Sequence, residues 1–219
     1  MNNKRIPQIF IIFFLFSLLG MVSCSTMYYK TWETMGKEKR DLLRDNVEAV
    51  RDDNVDAKEE FKDALTRLKE MGRFDGGNLE KAYHNLKDDY ENCQDRAEDV
   101  HDRVDKVESI AHDLFEEWEE EIEQISSSRM KRDSAKKLKI TKQKYQKLHK
   151  VMVASEKRMD SVLVRFRDNV LYLKHNLNAQ AIGGLKAEID SIETDVNKLI
   201  NGMQASITKA DEFIANLSQ

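Results

Sequence analysis

Residues 79–118 read LEKAYHNLKDDYENCQDRAEDVHDRVDKVESIAHDLFEEW. Leu79, Tyr83, Leu86, Tyr90, Cys93, Ala97, Val100, Val104, Val107, Ala111, Leu114 and Trp118 follow one another at alternating steps of four and three. A helix of 3.6 residues per turn places them all on one stripe. Alternation kept up over several heptads is the seam of helices packed in the manner of a coiled coil. Two further series repeat the pattern. One runs Leu43, Val47, Val50, Asn54, Ala57, Phe61, Ala64, Leu68, Met71; the other runs Leu185, Ile189, Ile192, Val196, Leu199, Met203, Ser206, Ala210, Phe213, Leu217. Between Leu138 and Leu177 the stripe is broader: Val151, Leu163 and Val170 join Tyr145, Leu148, Met152, Met159, Val162, Phe166 and Leu173. A broad stripe suits a helix with more than one neighbour.

The breaks between these series set the topology. Gly72-Arg73-Phe74-Asp75-Gly76-Gly77-Asn78 is a loop, and Ser126-Ser127-Ser128 supplies the serine that caps a new helix. Asn176, Asn178, Gly183 and Gly184 suggest a third turn, although apolar residues nearly continue through it, as they would in one long bent helix. The sole proline is Pro7, so nothing downstream interrupts long helices. The expectation is an all-α, elongated, antiparallel bundle of four helices in up-down-up-down order over residues 31–219. Helices of about 40 to 48 residues would give a rod roughly 60–70 Å long.

The N-terminus reads differently. Lys4 and Arg5 precede an apolar run from Ile9 to Leu19, which is about half the length needed to span a bilayer. Residues 1–23 have the layout of a secretory signal peptide of a lipoprotein, with an uncleaved anchor or an ordinary signal peptide as the alternatives. Met21-Val22-Ser23-Cys24 resembles a lipobox, in which Cys24 becomes the first mature residue and carries acyl chains, palmitate among them. Met21 departs from that pattern, where leucine is commonest. Ser25 stands where, in Gram-negative lipoproteins, Asp favours retention in the inner membrane, so that resemblance implies the outer membrane and a periplasm-facing domain. Residues 24–30 are the lipid-attachment and juxtamembrane segment. Tyr28, Tyr29 and Trp32 suit either an aromatic belt at the headgroups or the end of the bundle.

Charged residues make up 35% of the chain, yet 36 Lys and Arg against 40 Asp and Glu leave a net charge of -4. That balance argues against a nucleic-acid partner. The charges are locally segregated. Glu116 to Glu123 is acidic, and Lys131, Arg132, Lys136, Lys137, Lys139, Lys142, Lys144 and Lys147 follow the serines. Each run opposes its own helix dipole, and an antiparallel hairpin sets one beside the other. Two readings follow: a solvated pairing worth little per contact, or a basic surface that meets anionic lipid or lipopolysaccharide phosphate.

No phosphate loop, His-Glu-x-x-His motif or Cys-x-x-Cys pair occurs. One Glu-x-x-His pair, Glu98 and His101, flanks the seam rather than occupying it, and His84, His112, His149 and His175 show no metal-ligand spacing. No catalytic residue, cofactor, metal or small-molecule substrate is expected. Cys93, in the seam, is expected to be a buried thiol, and Asn54 a polar residue that sets register. A partner contact is expected at the tip far from the membrane. There Phe74, an apolar loop residue, and Asp75 would lie beside the Asn176–Gly184 turn; the alternative is that Phe74 plugs the end of the core and the glycines only turn the chain.

YYKTWETMGKEKRDLLRDNVEAVRD, FKDAL, FDGGNLE, VESIAHDLFEEWEEEI, FRDNVLYLKHNLNAQAI and SIETDVNKLI cover nearly the whole mature chain. With these the chain resembles a family of uncharacterised Gram-negative lipoproteins, catalogued as a domain of unknown function. The resemblance implies an envelope location and carries over no catalytic or binding residues. The function expected is a non-enzymatic cell-envelope lipoprotein. It would be anchored to the membrane by its acyl chains and act as a rigid scaffold, spacer or rod that binds an envelope protein or a second copy of itself. The alternative is a bundle that opens to hold a lipid or other apolar ligand, aided by Met35, Met71, Met152, Met159 and Met203.

Overall fold

Helix α1 (Lys39–Met71), α2 (Leu79–Gln124), α3 (Ser128–His175) and α4 (Ala179–Leu217) follow in order, with 33, 46, 48 and 39 residues. The computed structural model describes residues 39–73, 79–176 and 179–217. Residues 1–23, read above as a signal peptide, Cys24, the aromatic residues after it, and Phe74 and Asp75 lie outside the described residues. The chain divides after Lys39, and residues 40–219 form one unit.

Pairs of side chains give the packing order of that unit. On one side of α1, Arg51, Lys58 and Lys69 meet Asp211, Gln204 and Glu193 of α4 at 3.3, 3.3 and 2.8 Å; the partner numbers fall as those of α1 rise. On its other side, Asp53 and Arg67 meet Arg103 and Asp89 of α2. Lys142 of α3 reaches Glu119 of α2, and Lys144 and Arg165 reach Asn216 and Asp195 of α4. Phe61 and Phe166 stack across the diagonal, their centroids 6.2 Å apart. Each helix is therefore antiparallel to both neighbours, in up-down-up-down order. The 48 residues of α3 give the bundle a length of about 70 Å.

The seams are the core. Every position of the Leu43–Met71 series is buried, as is Leu185 through Phe213. In α2 the series is buried from Leu86 to Leu114 except at Tyr90, while Leu79, Tyr83, Tyr90 and Trp118 are half-buried where the stripe meets the ends and rim. The broad stripe of α3 includes a buried Val170, with Val151 and Leu163 half-buried at its edges.

The breaks fall where capping chemistry directs. The amides of Gly72 and Arg73 donate to the carbonyls of Leu68 and Glu70 as α1 ends. A Cβ at Gly72 would lie 2.2 Å from Ile189 Cδ1, so the smallest residue lets α4 approach. The Ser127 hydroxyl accepts from the Met130 amide to start α3. Asn176 closes α3: its amide donates to Leu173 O and its Nδ2 to Tyr172 O. The third break thus falls where α3 ends at His175 and α4 begins at Ala179, rather than one helix running through. Gly183 and Gly184 do not form it; they lie inside α4, and Tyr172 packs over Gly184, where a Cβ would come within 2.9 Å of its hydroxyl.

One layer of the core is polar. Asn54, Ser155 and Ser206 are at most 1% exposed. The cross-helix pairs put them within about one turn of a common level. Asn54 Nδ2 donates to Val50 O at 2.9 Å, but Asn54 Oδ1 and both serine hydroxyls have no hydrogen-bond partner.

Candidate functional site

The α2–α3 hairpin carries two adjoining grooves lined by charged and aromatic residues. Antiparallel packing sets the sequence Glu108-x3-His112-x3-Glu116 along one flank of a groove, and Lys142, Tyr145, Gln146 and His149 along the other. This groove, about 430 Å³, runs into a second of about 710 Å³ near the hairpin end, and the two share Glu119, Lys142 and Gln146.

Tyr145 is the floor. Its ring meets Phe115 edge-on at 5.5 Å, Phe213 at 6.1 Å and the His149 imidazole at 5.7 Å. It is 9% exposed, and its hydroxyl has no partner. Burial, with the Glu108 carboxylate nearby, pushes the phenol pKa well above its usual range, so it stays protonated. Lys142 Nζ sits over the Phe115 ring at 5.6 Å while paired with Glu119, and His149 Nε2 lies 3.2 Å from Glu108 Oε2. Tyr145 belongs to the broad stripe of α3, and Phe115 follows the seam residue Leu114; both are buried, so the floor borders the core.

His112, Asp113 and Glu116 were not singled out as a group by sequence, where metal spacing was sought between histidines. The structure brings one donor from each within 4.8 Å of the others; His112 Nδ1 is 3.5 Å from Asp113 Oδ1 and 3.9 Å from Glu116 Oε2. The signal was present as His-Asp-x-x-Glu, an i, i+1, i+4 set on one helix face. His112 and Glu116 are 73% and 66% exposed, a setting in which such groups form ordinary surface ion pairs. Glu98 and His101 face solvent, and His101 points to Asp105 and Glu156 rather than into the seam.

A second cluster is buried between α1 and α2. Asp89 is 4% exposed and takes Arg67 Nε on both oxygens at 2.7 and 2.8 Å. Burial raises its carboxyl pKa, against the pull of Arg67. Cys93 is fully buried, and burial, reinforced by Glu60 and Asp89, pushes its thiol pKa far up. A thiol held protonated is a poor nucleophile. Of the residues expected to matter for partners, Cys24, Phe74 and Asp75 lie outside the described residues.

Residues 28–217 match the family described as Protein of unknown function (DUF2959). The chain belongs to this family. The match starts after Cys24 and takes in all four helices, so the whole bundle is the family's unit. No curated protein and no solved structure matches the chain. Among the described residues no helix is long and apolar enough to cross a membrane.

Proposed function

We propose that this protein is a non-enzymatic cell-envelope lipoprotein, held at the outer membrane by acyl chains on Cys24, whose bundle serves as a rigid scaffold, spacer or partner-binding rod. The observation that carries this reading is the continuity of the seams. Helices of 33 to 48 residues bury an apolar position at nearly every turn, over about 70 Å. Such a body transmits position from one end to the other. Its stability is distributed along its length rather than gathered around a site. Met71, Met152, Met159 and Met203 belong to that core and are at most 5% exposed. Phe74 and Asp75, between α1 and α2, remain the proposed contact for an envelope protein or a second copy. The anchor comes from the lipobox reading of residues 21–24.

Metabolic labelling with a fatty acid tests the anchor. Wild type should label and Cys24→Ser should not, because stable attachment needs the acyl chains. Equal labelling of the two overturns it. Native mass spectrometry of the purified protein tests the rod. A bare polypeptide mass, as monomer or oligomer, is expected, and a stoichiometric apolar ligand would replace the rod with a bundle that opens to bind.

A further inference from the structure

Several cations of the basic half of α3 turn toward neighbouring helices, and others do not. Lys131 and Lys142 turn toward α2 and pair with Glu123 and Glu119 at 2.8 and 2.5 Å, and Lys144 turns toward α4 and reaches Asn216. Arg129, Arg132, Lys136, Lys147 and Lys150 do something else. All five are exposed, and none has an ion-pair partner among the described residues. At 100° per residue they project within about 40° of the direction opposite buried Tyr145. Their spacing of three and four is continued through the gap by Ile140, itself 41% exposed, and Gln143. The result is a cationic stripe along the outer face of α3, about 32 Å long for the 21 steps from Arg129 to Lys150. Glu119 and Glu123 of α2 pair with Lys142 and Lys131 on the adjacent face rather than with the stripe.

We infer that this stripe docks the bundle side-on against the anionic headgroups of a lipid surface. Charge complementarity gives the sign. A polyanion free in solution would meet a chain of net charge -4, whereas a planar anionic surface meets only the stripe. The exposed Ile140 within the stripe, and Met130 at 62% exposure beside its first residue, suit the boundary between headgroups and acyl chains rather than a nucleic-acid groove. The stripe also occupies the end of the bundle at which α1 begins. The inference extends the proposed function, but its chemistry is independent of the acyl chains.

The test is flotation of the full chain with vesicles of phosphatidylcholine alone or with three parts in ten phosphatidylglycerol. Wild type is compared with the five-fold variant Arg129→Gln, Arg132→Gln, Lys136→Gln, Lys147→Gln, Lys150→Gln. A control variant removes the same charge elsewhere, at exposed Lys62, Lys157, Arg167, Lys174 and Lys186, each replaced by Gln. All three share residues 1–38, so any contribution of that segment cancels, and circular dichroism confirms equal helix content. At low salt, wild type and control should prefer the anionic vesicles by about 100-fold or more, given about 1 kcal/mol per basic residue near the surface. The preference should shrink as salt rises, and the stripe variant should lose it. Equal binding of wild type to both vesicles overturns the inference, as does equal loss in the control. So does tight binding of duplex DNA with indifference to vesicles. Fatty-acid labelling reports on Cys24 and not on the stripe, so the anchor and the docking face fail separately.

Discussion

Replacing Ser155 and Ser206 by alanine should make the bundle more stable. Both hydroxyls are buried at 0 and 1% residue exposure, and neither has a hydrogen-bond partner. A buried polar group left unpaired costs about 1–3 kcal/mol, and alanine removes that cost along with the group. Helix propensity adds about 0.5 kcal/mol in alanine's favour at each site. Against this stand the lost dispersion contacts of one oxygen, a few tenths of a kcal/mol. The net gain is about 1 kcal/mol per site. For a unit of this size each kcal/mol moves the melting temperature by about 2–4 °C, so the double variant should melt about 4–8 °C higher. The two sites share a level of the core, so the double variant must be measured rather than summed. Thermal melts followed at 222 nm and urea titrations suffice. A loss of about 1 kcal/mol or more in either single variant would refute the reasoning. It would mean that the hydroxyl holds a buried water, whose hydrogen bonds alanine abolishes.

Val104 is 1% exposed in the seam of α2, and Val104→Asp should cost about 3–5 kcal/mol, since it buries a charge with no counter-ion. Lys147→Gln, on the exposed stripe, should change stability by about 0.5 kcal/mol or less, and similar melting curves for the two would mean the seam is out of register. Asp89 has a folded pKa raised by burial above its ordinary value, so it contributes stability that is fully present below the unfolded pKa and is lost as pH rises through the folded one. Wild type should therefore gain stability relative to Asp89→Asn as urea unfolding is moved from about pH 7 to about pH 4, and a stability difference that does not change with pH would contradict that assignment.

The seams were legible because burial of an apolar face repeats with the helix itself. Leu43 through Met71 needs no knowledge of a partner to be read as one stripe. The caps were legible for the same local reason: Ser127 and Asn176 act on backbone groups three or four residues away. Gly183 and Gly184 misled because glycine marks a turn from local propensity alone, whereas their place in α4 follows from packing, with Tyr172 of α3 lying over Gly184. The groove floor at Tyr145 and the pairing of exposed Arg67 with buried Asp89 were not legible, since each joins helices whose relative register is a property of the pair. The lysines show how little was missing. Lys142 and Lys147 are alike in any one-dimensional reading, five residues apart in one basic run. Once a single cross-helix contact, Lys142 with Glu119, orients α3, the angle of 100° per residue decides the rest. Lys142 then covers Phe115, while Lys147 faces outward among the unpaired cations. The distinction between a neutralised hairpin and a cationic docking face thus rests on the register of one helix pair.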